Sequence, residues 1–101
     1  MKLEHVNEER FAKNLSRAIQ IATISHEDEA DTDWNKFKEF HDFLKEAYPK
    51  TFSTLDVEEV GRAGLILHWK GSDDTLDPIG FLAHQDVVPV APGTEDDWTN
   101  P

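Results

Sequence analysis

A chain of 101 residues holds one small domain at most, with a modest core. Its 21 acidic residues against 10 basic ones give a formal charge of −11, which repels a phosphate backbone or an anionic bilayer, so neither nucleic acid nor membrane is an expected partner. Without cysteine there is neither a disulfide framework nor a thiolate metal site; the opening MKLEHVNEER lacks a secretory apolar core and no stretch reaches bilayer length, so a cytoplasmic protein is expected.

His5 precedes the first element and is expected in solvent. From Asn7 to about Ile24, Phe11, Leu15, Ala18, Ile19 and Ala22 recur at helical spacing. Asn7 suits an N-cap, and Glu8 and Glu9 suit the positive end of the helix dipole. Ser25 to Asp33 then carries five carboxylates and His26. A calcium loop needs defined oxygen spacing and a glycine at its sharp turn, both missing here, so this run reads as solvated linker.

Trp34, Phe37, His41, Leu44 and Tyr48 define a second helix, capped by Thr32 or Asp33 and expected to stop at Tyr48 because Pro49 removes a donor. Its aromatic face reads as helix-on-sheet packing, with His41 as a core histidine rather than a ligand. Thr51 to Val60 alternate imperfectly and read as a half-exposed strand with a slip near Thr54 and Leu55. Gly61-Arg62-Ala63-Gly64 supplies a turn, and Leu65 to Lys70 a second strand, so the two form an antiparallel hairpin with His68 exposed.

After the acidic loop Gly71 to Asp77 comes Pro78-Ile79-Gly80-Phe81-Leu82-Ala83-His84-Gln85-Asp86-Val87-Val88-Pro89-Val90. An apolar run this continuous reads as an interior strand that ends in a histidine and, two residues on, a carboxylate. Residues two apart on a strand share a side, so His84 and Asp86 project together. A neutral imidazole binds zinc through one nitrogen, while a carboxylate on the other N–H fixes the tautomer and raises ligand basicity. Ligands also gather at the carboxyl ends of strands in open α/β sheets. The following Ala91 to Asp97 is a turn-rich acidic loop, solvated by default, and Trp98 is placed either over the metal site or on the sheet.

A bare His-x-Asp says little, and the surroundings sharpen it. FLAHQDVVPV followed by DDWTNP resembles the zinc exopeptidases of the aminoacylase, carboxypeptidase S and succinyl-diaminopimelate desuccinylase family (peptidase family M twenty). The segment Ile21-Ala22-Thr23-Ile24-Ser25 resembles the family's phrase after its first helix and assigns no chemistry. The resemblance implies a metallopeptidase or amidohydrolase that cleaves peptide or N-acyl-amino-acid amide bonds with two zinc ions. His84 falls on a zinc ligand and Asp86 on the catalytic-site aspartate that orients it. The bridging aspartate, the glutamate pair that supplies general base and ligand, a further acidic ligand and a distant histidine lie downstream in the family. Residues 1–101 are therefore expected to be the N-terminal portion of a catalytic α/β domain, without the lid or dimerisation domain, inactive alone and binding no zinc tightly; the complete protein is expected to be a homo-oligomer.

The expected fold is α/β: a zinc-exopeptidase-like (phosphorylase/hydrolase-like) mixed sheet with flanking helices, truncated after the first His-x-Asp strand. Missing neighbours would leave that strand with unpaired backbone at an apolar edge, which predicts self-association or marginal stability. The alternative is a non-catalytic α/β relic or interaction module in which His84 and Asp86 form an ordinary structural hydrogen bond. Metallohydrolases built on His-x-His or His-x-His-x-Asp-His need further histidines where Gln85 and Val88 stand.

Overall fold

In the computed structural model, which describes residues 5–99, Asn7 opens the first helix by accepting the Arg10 backbone N–H on its side-chain oxygen at 3.1 Å. Helix α1 runs Glu8–Ile19, with Glu8 and Glu9 in the first turn and Arg17 in the last. It stops short of the expected Ile24. The Gln20 side-chain amide donates to the Ser16 carbonyl at 3.0 Å, and β-branched Thr23 and Ile24 leave the helix for an extended conformation that pairs elsewhere. Its apolar stripe is left mostly open among the described residues: Phe11 is 61%, Leu15 52% and Ile19 75% exposed.

The acidic linker contains a single 3₁₀ turn, Glu29–Asp31, capped by the Asp28 side chain on the Ala30 N–H at 2.9 Å. Asp33 caps α2 (Trp34–Ala47) by accepting the Asn35 N–H at 3.1 Å. This helix supplies the core. Phe37, Phe43 and Ala47 are the buried apolar side chains among the described residues, and His41 is buried beside them. Two arginines attach α1 to it: Arg10 donates to the Ala47 carbonyl at 3.0 Å, and the Arg17 guanidinium lies 4.9 Å from the Phe43 ring centroid and 3.3 Å from a Glu46 carboxylate oxygen. The exposed ion pair adds little, since such pairs contribute about 0–1 kcal/mol.

Pro49 begins a helix instead of ending structure. Residues Pro49–Thr54 form α3, where a strand was expected from Thr51. Proline at the first helical position has its φ already set and loses no hydrogen bond, and Tyr48, Phe52 and Leu55 fall at the i, i+4, i+7 spacing of one helix face. The irregular alternation near Thr54 and Leu55 was therefore the end of a helix, not a bulge. Strand β1 (Asp56–Val60) follows and pairs antiparallel with β2 (Gly64–His68), Asp56 opposite His68 and Val60 opposite Gly64. Gly61 sits at φ 61°, where a side chain is strained, and a Cβ on Gly64 would stand 2.7 Å from the Val60 carbonyl oxygen. The hairpin was expected, although its second strand ends at His68 and leaves Trp69 77% exposed.

The motif segment departs most from expectation. Residues 78–86 form no regular strand, and Ile79, Phe81, Leu82 and Val88 are 83%, 94%, 97% and 81% exposed. The sole sheet among the described residues is the two-stranded antiparallel hairpin, so the anticipated mixed sheet with an interior motif strand is corrected to a small α/β arrangement of helices and one hairpin. The reason is pairing: a central strand needs a neighbour on each side and a layer over each face, and this segment has one parallel bridge, Ile24 to Val87. The radius of gyration, 17.0 Å, exceeds the roughly 13 Å of a compact domain of this length. A 3₁₀ turn at Glu95–Asp97 ends the ordered elements. Trp98 is 63% exposed, and Asn100 and Pro101 of the tryptophan phrase lie outside the described residues.

Candidate functional site

The site forms where the segment leaving α1 crosses the motif. The Val87 N–H donates to the Thr23 carbonyl at 2.9 Å, the Ser25 N–H donates to the Val87 carbonyl at 3.0 Å, and the buried Thr23 hydroxyl donates to the Gln85 carbonyl at 2.6 Å. Three backbone-directed bonds thus fix residues 85–87 against 23–25. This short register is all the extended structure the motif has, and it lies directly beneath the two polar side chains.

His84 and Asp86 meet. The His84 Nδ1–H donates to Asp86 Oδ1 at 2.8 Å, which leaves Nε2 of a neutral ring carrying the lone pair. The His84 side chain is 92% exposed, so nothing among the described residues closes off that nitrogen, while Asp86 is 36% exposed. The second carboxylate oxygen accepts the Ser25 hydroxyl at 2.8 Å. The bond from His84, then that from Ser25, holds the Asp86 carboxyl below the ordinary carboxylate value of 3.8.

Gln85 points the other way, as alternation along an extended backbone requires. Its side-chain oxygen accepts from Nε2 of buried His41 at 2.8 Å, and its amide nitrogen donates to the Ala63 carbonyl. The motif is therefore tied to α2 and to the hairpin loop through one side chain. His41 serves the core, as its place on the aromatic stripe implied. The resulting cleft encloses about 560 Å³, with Ser25, Trp34, Arg62, His84 and Asp86 among its walls. Arg62 stands 5.2 Å over the Trp34 ring, and the buried Trp34 indole N–H has no partner among the described residues.

His68 lies apart, 4.0 Å from Asp56 across the hairpin. The Glu95–Asp97 carboxylates form a separate exposed turn, and His26 sits on the acidic linker. Among the described residues no three His, Asp or Glu side chains gather as a metal cage. Sequence reasoning missed Ser25, Thr23 and Gln85. Their partners are 61 and 62 residues away in two cases, a separation that leaves no periodic trace, and the phrase 21–25 was the sole pointer to the first two.

Similarity to known proteins covers most of the chain. Carboxypeptidase S of Saccharomyces cerevisiae is 37% identical over 94 residues, 88% of this chain and 16% of that protein. A carboxypeptidase S-like protein of Dictyostelium discoideum is 37% identical over 90 residues, 88% of this chain and 18% of that one. An N-fatty-acyl-amino acid synthase/hydrolase of Mus musculus is 37% identical over 98 residues, 93% of this chain and 19% of the mouse protein. The chain thus spans less than a fifth of the length of these relatives. No family model matches it, and no solved structure does.

Proposed function

The chain belongs to peptidase family M twenty, with the carboxypeptidase S-like proteins and N-fatty-acyl-amino acid hydrolases, and from that premise we propose that it contributes the first metal-ligand corner of a hydrolase acting on peptide or N-acyl-amino-acid amide bonds. The observation that carries this reading is the 2.8 Å bond from His84 Nδ1 to Asp86, which aims an imidazole lone pair outward at the mouth of a cleft.

The residues present fit such a role. An exposed imidazole with its second nitrogen held by a carboxylate is the donor arrangement that suits zinc. His84 would hold the ion through Nε2, and Asp86 would keep the ring in the Nδ1–H tautomer. Zinc bound there supplies Lewis acidity toward a carbonyl and lowers the pKa of a water. His84 and Asp86 by themselves move no substrate proton. Ring orientation is set by Asp86, and Asp86 is set in turn by Ser25 and by the backbone register at residues 23–25.

A complete coordination sphere needs more than this corner. By resemblance the remaining carboxylate and histidine ligands and the general base belong to further parts of a catalytic domain, so residues 1–101 alone are expected to be inactive. Within the complete enzyme, His84→Ala abolishes hydrolysis of N-acyl amino acids and C-terminal dipeptides and releases zinc on dialysis. Turnover and zinc content that survive the substitution reduce the His84–Asp86 bond to a structural contact.

A further inference from the structure

The Ser25 hydroxyl is accounted for by no part of the proposed metal corner, yet it completes the hydrogen bonding of Asp86. A carboxylate that accepts a bond on one oxygen alone still rotates about its Cβ–Cγ bond. Asp86 accepts on both, His84 on Oδ1 and Ser25 on Oδ2, each at 2.8 Å. Ser25 is itself held at the backbone, its N–H on the Val87 carbonyl at 3.0 Å, one residue past the carboxylate it binds. Thr23 bonds the Gln85 carbonyl one residue before it, at 2.6 Å. The stretch leaving α1 therefore grips Asp86 from both sides and through its side chain.

We infer that Ser25 is a positioning residue: its hydroxyl fixes the carboxylate plane of Asp86, which in turn selects the His84 tautomer whose Nε2 lone pair faces outward. The side chain itself touches neither substrate nor metal. The role follows from geometry, because His84 is 92% exposed and has no packing of its own to orient the ring, so the carboxylate is its one anchor among the described residues. An anchor free to swing holds the ring less well. The hydroxyl is what stops the swing.

The role as it bears on zinc rests on the function proposed above; as it bears on the tautomer it does not, and the test separates the two. Nitrogen NMR of the 101-residue chain reads the His84 tautomer directly at a pH where the ring is neutral. The native chain is expected to show the Nδ1–H form in the majority, Ser25→Ala to lose that majority, and Ser25→Thr, which keeps the hydroxyl, to retain it. The Ser25 and Val87 amide signals report whether the backbone register survives. If Ser25→Ala does not fold, Ser25→Cys, similar in shape but a weak donor, takes its place with the same expected loss. An unchanged tautomer with an intact register, or equal loss in the alanine and threonine variants, overturns the inference. Zinc titration of the complete enzyme is the second arm: there Ser25→Ala is expected to weaken zinc binding about tenfold, the lower end of what loss of an outer hydrogen-bond partner costs. A complete enzyme that binds no zinc defeats the metal reading, and the tautomer comparison alone then decides for or against Ser25.

Discussion

Asp86 is the residue on which the site turns, and its ionisation shows how. Hydrogen bonds from His84 and, second, from Ser25 stabilise the carboxylate form and hold its pKa below 3.8. A carboxyl depressed in the folded state contributes stability that is complete above its unfolded value and is lost as pH falls through the lower folded value. The affected window therefore lies below about pH 3.8, and near neutrality the carboxylate is charged and able to accept from both donors. Following the Asp86 side-chain carbon by NMR should give a midpoint below 3.8, raised more by His84→Ala than by Ser25→Ala. A midpoint at or above that value means the two bonds are not kept in solution. The sequence showed this residue and its histidine plainly, because a two-residue offset on extended backbone is a local relation. Ser25 was invisible in the same sense: nothing in residues 21–25 says which carboxylate their hydroxyl will find.

At the scale of elements, Gln85 joins three parts that share little apolar contact. It accepts from buried His41 on α2 at 2.8 Å and donates to Ala63 in the turn between β1 and β2. Gln85→Leu removes both bonds and strands a buried imidazole N–H, a loss of about 1–3 kcal/mol. The expected sign is faster amide hydrogen exchange in α2 and at the hairpin turn, with α1 unaffected. Unchanged exchange at both places shows that the bridge carries no stability. The elements themselves were readable to different degrees. The second helix and the hairpin emerged from period and turn chemistry alone. Helix α3 did not, because the locked φ of proline at residue 49 suits a helix start as well as a stop, and only the Tyr48–Phe52–Leu55 spacing chooses between them. The early end of α1 is a tertiary effect, since Thr23 and Ile24 bond the motif instead of the helix.

For the whole molecule the deciding fact is how little is covered. Three apolar side chains are buried among the described residues, while Phe11, Leu15 and Ile19 on α1 and Ile79, Phe81 and Leu82 before the motif lie mostly in solvent. Exposed apolar surface combined with extended, unpaired backbone is the condition for association. Sedimentation of the 101-residue chain should show concentration-dependent self-association, reduced when Phe81 and Leu82 are changed together to Asp and Ser, with a broad unfolding transition. A monomer that unfolds in one sharp cooperative step contradicts this picture.

Residue spacing by itself determined the amphipathic helices, the hairpin and the adjacency of His84 and Asp86, all relations within a few residues that depend on backbone geometry alone. Tertiary structure decided the rest: that the apolar run before His84 lies open instead of inside a sheet, and that Thr23, Ser25 and Gln85 seat the motif. Burial and long-range hydrogen bonding depend on which distant groups arrive to share a surface. Local pattern can announce that a segment seeks a partner; only the folded chain shows whether one meets it.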